Sequence, residues 1–377
     1  MRSRLLSKPE TWCMGKFRGG SDDWLDDQNS SRRGTAKPKK KSSKAGYLDA
    51  ALANAKIVEV FPKQARARMD EGGAELLCSY RRAQVIQNDE NYRERSPVAV
   101  GDRVQVTALN PQDGVIEGVC ERRNSLARPA PGKDEASNIF HVIAANIDVL
   151  TIVASIKLPD FSPGLIDRYL IAAQAAGIES LICVTKVDLI VGTETLAQPA
   201  GLWDEYRKLG YPVVMISAKA ALGIEQLAPK IEGKTVVFCG HSGVGKTSLF
   251  RRILGTEVGK IGEVNIQTGK GRHTTTSAIL YQRGTSSWID TPGIREFGLV
   301  GVTSENLQNY FPEFSKLPCT ANGCSHIGHL QEEKDQDRYQ VELVQAPDGC
   351  DAAGLFRYPS FLRIHASLLE REQAKQT

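Results

Sequence analysis

The chain predicts an α/β protein with a mostly parallel sheet, preceded by a small β-barrel and followed by a Cys/His-bearing helical region. Three observations support this. From residue 138 to about residue 300, buried apolar runs alternate with helical patterns, as in sheets whose strands are joined by crossing helices. Residues 47 to 128 instead hold short alternating segments divided by turn signals, which suits a closed barrel. Residues 240 to 247 read Gly-His-Ser-Gly-Val-Gly-Lys-Thr and match G-x-x-x-x-G-K-S/T, a loop that cradles phosphate between a strand and a helix.

With 377 residues, two or three domains are expected. An apolar fraction of 41% and a charged fraction of 24% are ordinary for soluble globular chains. No apolar run reaches the ~18 residues of a membrane span, and the N-terminus lacks the apolar core of a secretory signal. A cytoplasmic protein with no membrane contact is therefore expected. The net charge is +4, but Lys and Arg outnumber Asp and Glu by seven in residues 1–46. The run Lys37-Pro38-Lys39-Lys40-Lys41 fits a flexible basic arm, and such an arm on a near-neutral body suits a polyanionic partner. Eight cysteines in a chain of this size do not form a disulfide framework. Cys183 and Cys239 sit inside apolar strands and read as core residues.

In the first region, Ala55–Phe61, Ala74–Cys78, Asp102–Val106 and Gly114–Val119 alternate like strands. Turn signals at Gly72-Gly73 and Pro111–Gly114 separate them. An OB-fold is the natural candidate, a scaffold that often binds single-stranded nucleic acid. Arg66, Arg68, Arg81 and Arg82 suit that role, although few aromatics are present to stack on bases. In the second region, Ile147–Val153, Leu181–Val184, Pro212–Ile216 and Thr235–Cys239 read as buried strands, and Leu165–Ala176 as an amphipathic helix. Such sheets bind ligands beyond the carboxyl ends of their strands. The last region closes on a helical pattern, Phe361–Leu369.

The chemistry-bearing strings fall at those strand ends. In the loop Gly240, Ser242, Gly243, Val244, Gly245, Lys246, Thr247 and Ser248, the glycines let backbone N–H groups close on phosphate oxygens at a helix N-terminus. Lys246 would reach the β- and γ-phosphates, and the Thr247 hydroxyl would bind Mg²⁺. Thr185-Lys186-Val187-Asp188 follows a buried strand and fits a guanine-reading box. A carboxylate at Asp188 can accept from guanine N1–H and the exocyclic amine, a donor pair that adenine lacks. Lys186 can lie along the base. Ser217, Ala218 and Lys219 follow the next strand and resemble the loop whose amide meets guanine O6. Asp290-Thr291-Pro292-Gly293 matches D-x-x-G, with Asp290 on the Mg²⁺ side and the Gly293 amide at the γ-phosphate. The intervening Gly271–Thr276 could supply a threonine to Mg²⁺. Ile294 stands where many GTPases carry a glutamine that orients water. His273 is then the best local group to position that water.

The boxes run base-reading, Ser-Ala-Lys, P-loop, His-Thr-Thr, D-x-x-G, whereas ordinary GTPases begin with the P-loop. A circularly permuted chain keeps the same sheet. This order, with a barrel in front and a Cys/His cluster behind, resembles the ribosome small-subunit-dependent GTPase A family (RsgA, also called YjeQ) over about residues 47 to 330. The strings that carry the resemblance are residues 240–247, Gly271–Thr276 and Asp290–Leu299, together with Arg122–Pro129.

Behind the basic arm (1–46) read from composition, the resemblance implies an OB-fold β-barrel (47–128), a circularly permuted P-loop GTPase domain (129–302) and a zinc-binding helical region (303–377). It also implies a monomeric GTPase that binds the small (30S) ribosomal subunit and its rRNA late in assembly. Such a protein would hydrolyse GTP to GDP faster on the subunit. His273 matches the family's catalytic histidine and Thr275 its Mg²⁺-linked threonine. The family's zinc pattern, Cys-x₄-Cys-x-His-x₅-Cys, is met by Cys319, Cys324 and His326. Its fourth position falls on Glu332, and residues 331–345 read as a charged insertion. Cys350 is the favoured fourth ligand of one structural Zn²⁺, with His329 and Glu332 as rivals. An RNA-binding nucleotide switch with little hydrolysis is the alternative, while Asp188 disfavours an ATPase or kinase.

Overall fold

The computed structural model describes residues 47–81, 93–94, 97–129, 139–160, 162–190, 197–254, 278–291, 298–317, 319, 324–335, 338–347 and 350–374. The basic arm, His273, Thr275, Gly293 and Ile294 lie outside these described residues.

The first six strands are β1 (Ala55–Phe61), β2 (Gln64–Met69), β3 (Glu75–Tyr80), β4 (Arg93–Glu94), β5 (Arg103–Ala108) and β6 (Asp113–Val119). Five of them close in the order β1-β2-β3-β6-β5-β1. Every pairing is antiparallel except β3 with β6, and the result is a closed OB-like barrel. Period-2 alternation explains it: Ile57, Ala65, Ala67, Leu76, Cys78, Val104, Val106 and Ile116 point inward and form one core. The small residues of β2 suit the tight interior. Leaving the barrel, Arg122 sets Nε and Nη2 on Asp102 Oδ1 and Oδ2 at 2.7 and 2.9 Å, a buried bidentate pair that anchors the exit chain.

Strands β7 (Ser125–Pro129) and β8 (Ile139–Ala145) form a small sheet with β4. Then follow β9 (Val149–Ser155), α1 (Pro163–Ala175), β10 (Glu179–Thr185), α2 (Ala197–Lys208), β11 (Val213–Met215), α3 (Ile224–Ile231), β12 (Thr235–Cys239), α4 (Lys246–Leu254), β13 (Ile279–Arg283) and β14 (Ser286–Asp290). The sheet runs β11-β10-β9-β12-β14-β13. All pairings from β11 to β14 are parallel, and β13 runs antiparallel at the edge. Every residue of β9 and β12 is buried, as expected of strands covered on both faces. The chain winds outward from β9 to β11 and then returns to place β12 on the opposite flank of β9. That reversal is a topological switch point, where α/β sheets open a crevice for ligands.

The C-terminal region holds a hairpin, β15 (His329–Asp335) with β16 (Arg338–Gln345), and the helix α5 (Tyr358–Gln373). The charged insertion is thus an antiparallel ribbon. Phe311, Phe314, Tyr358 and Phe361 share one apolar cluster with Ile166, Tyr169 and Leu170 of α1, so this region packs on the helix that covers the parallel sheet. No helix among the described residues is long and apolar enough to cross a membrane.

Candidate functional site

At the end of β12 the chain must turn at once. Gly240 has φ +144, and a Cβ there would lie 2.1 Å from Val153 O; only glycine fits. Gly243 and Gly245 also take positive φ, at +82 and +97. The loop then enters α4 at Lys246, with Leu249 N–H bonded to Gly245 O at 2.9 Å. Val244 is buried, while Thr247 and Ser248 are exposed on the first turn. Lys246 Nζ donates to Gly240 O at 2.5 Å and His241 O at 2.8 Å. Burial lowers the Lys246 pKa, and Asp290 partly offsets this.

Asp290 closes β14 in register with Phe238 of β12. Its pKa is raised by burial, against the pull of Lys246. Next to it, Thr291 Oγ1 donates to Phe238 O at 3.0 Å. The Lys246 ammonium, at the start of α4, and the Asp290 carboxylate, at the end of β14, are thus close enough to feel each other's charge.

The base-reading candidates lie on the other flank of β9. Thr185 Oγ1 sits 2.5 Å from Val244 O and 3.2 Å from Ala154 O, which ties the end of β10 to the phosphate loop. Lys186 takes a left-handed φ of +60, and its ammonium donates to Leu158 O. Asp188 is half-buried and accepts from Ser217 Oγ at 2.5 Å. The same Ser217 hydroxyl accepts from Ala220 N at 2.9 Å. The buried serine after β11 thus fixes the carboxylate after β10, with Ala218 half-buried and Lys219 exposed beside it. Asp188, Lys186, Thr185, Ser217, residues 240–248 and Asp290 all occupy one edge of the sheet.

The residues alone did not signal the tie from Thr185 to Val244, or a cavity of about 190 Å³ beside the loop. Ser155, Ile166, Tyr169, Gly240, His241 and Val244 are among its lining residues. His241 Nδ1 lies 2.9 Å from Ser242 O.

A second cluster lies in the C-terminal region. The ligand atoms of Cys319, Cys324, His326 and Cys350 lie within 4.8 Å of one another. His326 Nδ1 is 3.3 Å from Cys350 Sγ and 3.6 Å from Cys319 Sγ, and the two sulfurs are 3.5 Å apart. Burial lowers the His326 pKa, favouring the neutral imidazole that binds metal. Desolvation and the neighbouring thiols raise the Cys319 pKa. Three thiols and one neutral imidazole at this spacing form a Cys₃His set that could hold a metal ion. Tyr358 OH donates to His326 O at 2.9 Å and anchors the set on α5.

A third feature is a buried ion cluster. Arg357 Nε donates to Asp167 Oδ1 at 2.8 Å, and Nη1 reaches the Glu313 oxygens at 3.2 and 3.1 Å. Tyr206 OH also donates to Asp167 Oδ1, at 3.0 Å. The cluster locks α1 of the nucleotide sheet to the segment that carries Cys350 and Tyr358.

Comparison with known proteins bears on this geometry. The family model described as RsgA GTPase matches residues 119–300. A small ribosomal subunit biogenesis GTPase RsgA from Thermotoga neapolitana is 36% identical over 303 residues, covering 80% of this chain and 92% of the relative. One of the same name from Chlorobaculum tepidum is 40% identical over 241 residues, covering 61% and 75%. Among solved structures, YjeQ from Thermotoga maritima matches with a TM-score of 0.59 at 27% identity, over 84% of this chain and 98% of that one. YloQ, described as a circularly permuted GTPase, matches with a TM-score of 0.57 at 24% identity, over 84% and 95%.

Proposed function

The chain belongs to the RsgA GTPase family, and from that premise we propose that its sheet is a circularly permuted P-loop GTPase domain serving late maturation of the small ribosomal subunit. GTP is hydrolysed to GDP and phosphate, and the rate rises on the subunit. Asp188 is the observation that carries this proposal: its carboxylate is held by Ser217 at the same sheet edge as the phosphate loop. A carboxylate so oriented accepts two donors from guanine, and adenine would leave those acceptor positions unfilled at a cost of about 1–3 kcal/mol.

The remaining roles follow from place at the sheet edge for residues 240–248, Asp290 and the base-reading candidates, and from the family resemblance for His273, Thr275 and Gly293. Backbone amides of residues 240–247 receive the phosphates at the N-terminus of α4. Lys246, already desolvated, neutralises charge between the β- and γ-phosphates. Thr247, Asp290 and Thr275 hold Mg²⁺, which would supply charge neutralisation at the phosphates. The Gly293 amide attends the γ-phosphate, and His273 positions the attacking water. Lys186 lies along the base, and the Ser217-Ala218-Lys219 turn meets guanine O6. Cys319, Cys324, His326 and Cys350 hold one structural Zn²⁺, which would brace the C-terminal region. The barrel contributes to binding rRNA, and the protein works as a cytoplasmic monomer.

The test is phosphate release from GTP and from ATP, with and without isolated small subunits. GTP-selective turnover stimulated by the subunit is expected. Indifference to the purine would refute the assignment of Asp188, and absence of stimulation would refute the subunit as partner.

A further inference from the structure

Strand β13 is shared between the barrel and the nucleotide sheet. Its first residue, Ile279, pairs with Asp290 of β14 on one flank and with Glu59 of β1 on the other. One rung therefore runs from Glu59 through Ile279 to Asp290. A second rung lies three residues along, where Gln282 pairs with Ser287. There Arg68 Nη1 of β2 donates to Gln282 Oε1 at 3.0 Å, and Lys56 Nζ of β1 lies 3.4 Å from Ser287 Oγ. The backbone register between β1 and β13 consists of the single pair Glu59 with Ile279. Val58 and Val60 of β1 join the apolar cluster of Ala278, Leu280 and Ile289 beneath this seam, and the Arg68 and Lys56 side-chain contacts pin its outer end.

An edge strand without such a neighbour can twist and bend, because one row of its backbone groups is unpaired. Here the edge carries a chemical burden: the β13–β14 hairpin ends at Asp290. The Arg68 guanidinium is itself steered, since Nε and Nη2 sit 3.1 and 2.5 Å from Glu75 Oε1 of β3. Its planar fork spans β3 and β13 at once, which a lysine ammonium cannot reproduce.

We infer that the barrel is a positioning element of the hydrolytic site, with Arg68 acting through Gln282 to hold the β13–β14 hairpin and so the Asp290 carboxylate. This rests on the Mg²⁺ role proposed for Asp290. Arg68 touches no substrate; it sets where a carboxylate stands. Displacements of about 1 Å at such a group can cost up to ~100-fold in rate. A ligand seated on the barrel would act on the same lever, giving an outside partner a route to the catalytic edge that bypasses the base-reading strands.

The experiment compares full-length wild type, Arg68→Ala, Arg68→Lys, Gln282→Ala and the Arg68→Ala/Gln282→Ala double variant. Each is assayed for kcat, KM for GTP, the Mg²⁺ concentration giving half-maximal turnover, and GDP affinity. Arg68 is partly exposed, so the variants are expected to fold, and circular dichroism checks this. Each single variant should lower kcat about fivefold or more and raise the half-maximal Mg²⁺ about threefold, with GDP affinity held within about twofold. The double variant should be no worse than the worse single one, because both remove the same contact. Unchanged kcat and Mg²⁺ dependence would overturn the inference. So would additive losses, or GDP affinity falling in parallel with kcat. If wild type itself shows no Mg²⁺-dependent GTP turnover, the parent proposal fails, and that outcome is distinct from the other three.

Discussion

Replacing Arg357 by methionine should expose how strongly the C-terminal region is bonded to the nucleotide sheet. The Arg357 and Asp167 side chains are 0% exposed, and that of Glu313 is 7% exposed. Methionine roughly preserves volume but strands two carboxyls without a countercharge. Removing one partner of a buried pair costs about 3–5 kcal/mol. The guanidinium also lies 4.5 Å from the Phe311 ring centroid, a stacking contribution of about 0.5–2 kcal/mol. A total of about 3.5–7 kcal/mol corresponds to a fall in melting temperature of about 7–21 °C at ~2–3 °C per kcal/mol for a unit of this size.

Thermal unfolding followed by circular dichroism at pH 7 gives the first readout, and the pH dependence gives the second. Desolvation raises the pKa of both Asp167 and Glu313, and Arg357 opposes it in each case. Without the cation their folded pKa values rise further above the unfolded ones. Such groups favour folding below the unfolded pKa and lose that contribution as pH rises through the folded pKa. The deficit of Arg357→Met relative to wild type should therefore shrink as pH falls from 7 toward 5. Adding Asp167→Asn and Glu313→Gln, which removes the stranded charges, should restore much of the loss at pH 7. A melting temperature within about 1 °C of wild type would refute the reasoning, as would a deficit that grows on acidification.

Three further outcomes follow from the same geometry. Asp188→Asn should cut the preference for GTP over ATP by about 10- to 100-fold, the worth of charge-assisted hydrogen bonds, as read by competition binding. Gly240→Ala should abolish nucleotide binding in calorimetry, because its Cβ would sit 2.1 Å from Val153 O at a φ of +144. Cys350→Ser should lower bound zinc, measured by atomic absorption of purified protein, whereas Glu332→Gln should leave it unchanged; the reverse pattern would transfer the fourth ligand to Glu332.

Much of the edge chemistry was legible because it is local. Gly240 to Thr247 is one continuous string, and its glycines are dictated by backbone clashes within a few residues. Asp188 and Ser217 could each be named from a short box after an apolar run. Their mutual hydrogen bond could not, since 29 residues separate them and only the adjacency of β10 and β11 joins them. Strand β2 was passed over because Ala65 and Ala67 are weak hydrophobic signals; the barrel interior, not strand propensity, selects them. The charged run 331–345 read as a polar insertion because residues 331–338 carry no apolar side chain, although Tyr339, Val341 and Leu343 alternate in the strand pattern of β16. Arg357 gave no signal at all, because a lone arginine before a helix is ordinarily a surface residue.

From its amino acids alone, this chain specified which strand ends carry the strings proposed for phosphate, base and metal chemistry, and in what order. Those features depend on steric and bonding rules that act over a handful of neighbouring residues. Tertiary structure alone decided two partnerships: Arg357 with Asp167 and Glu313, and β13 with the barrel; it also grouped Cys350 with the three ligand candidates the sequence had already favoured for it. Each joins residues far apart in sequence, and each is stabilised by burial or strand pairing that exists only once the sheet order has been set.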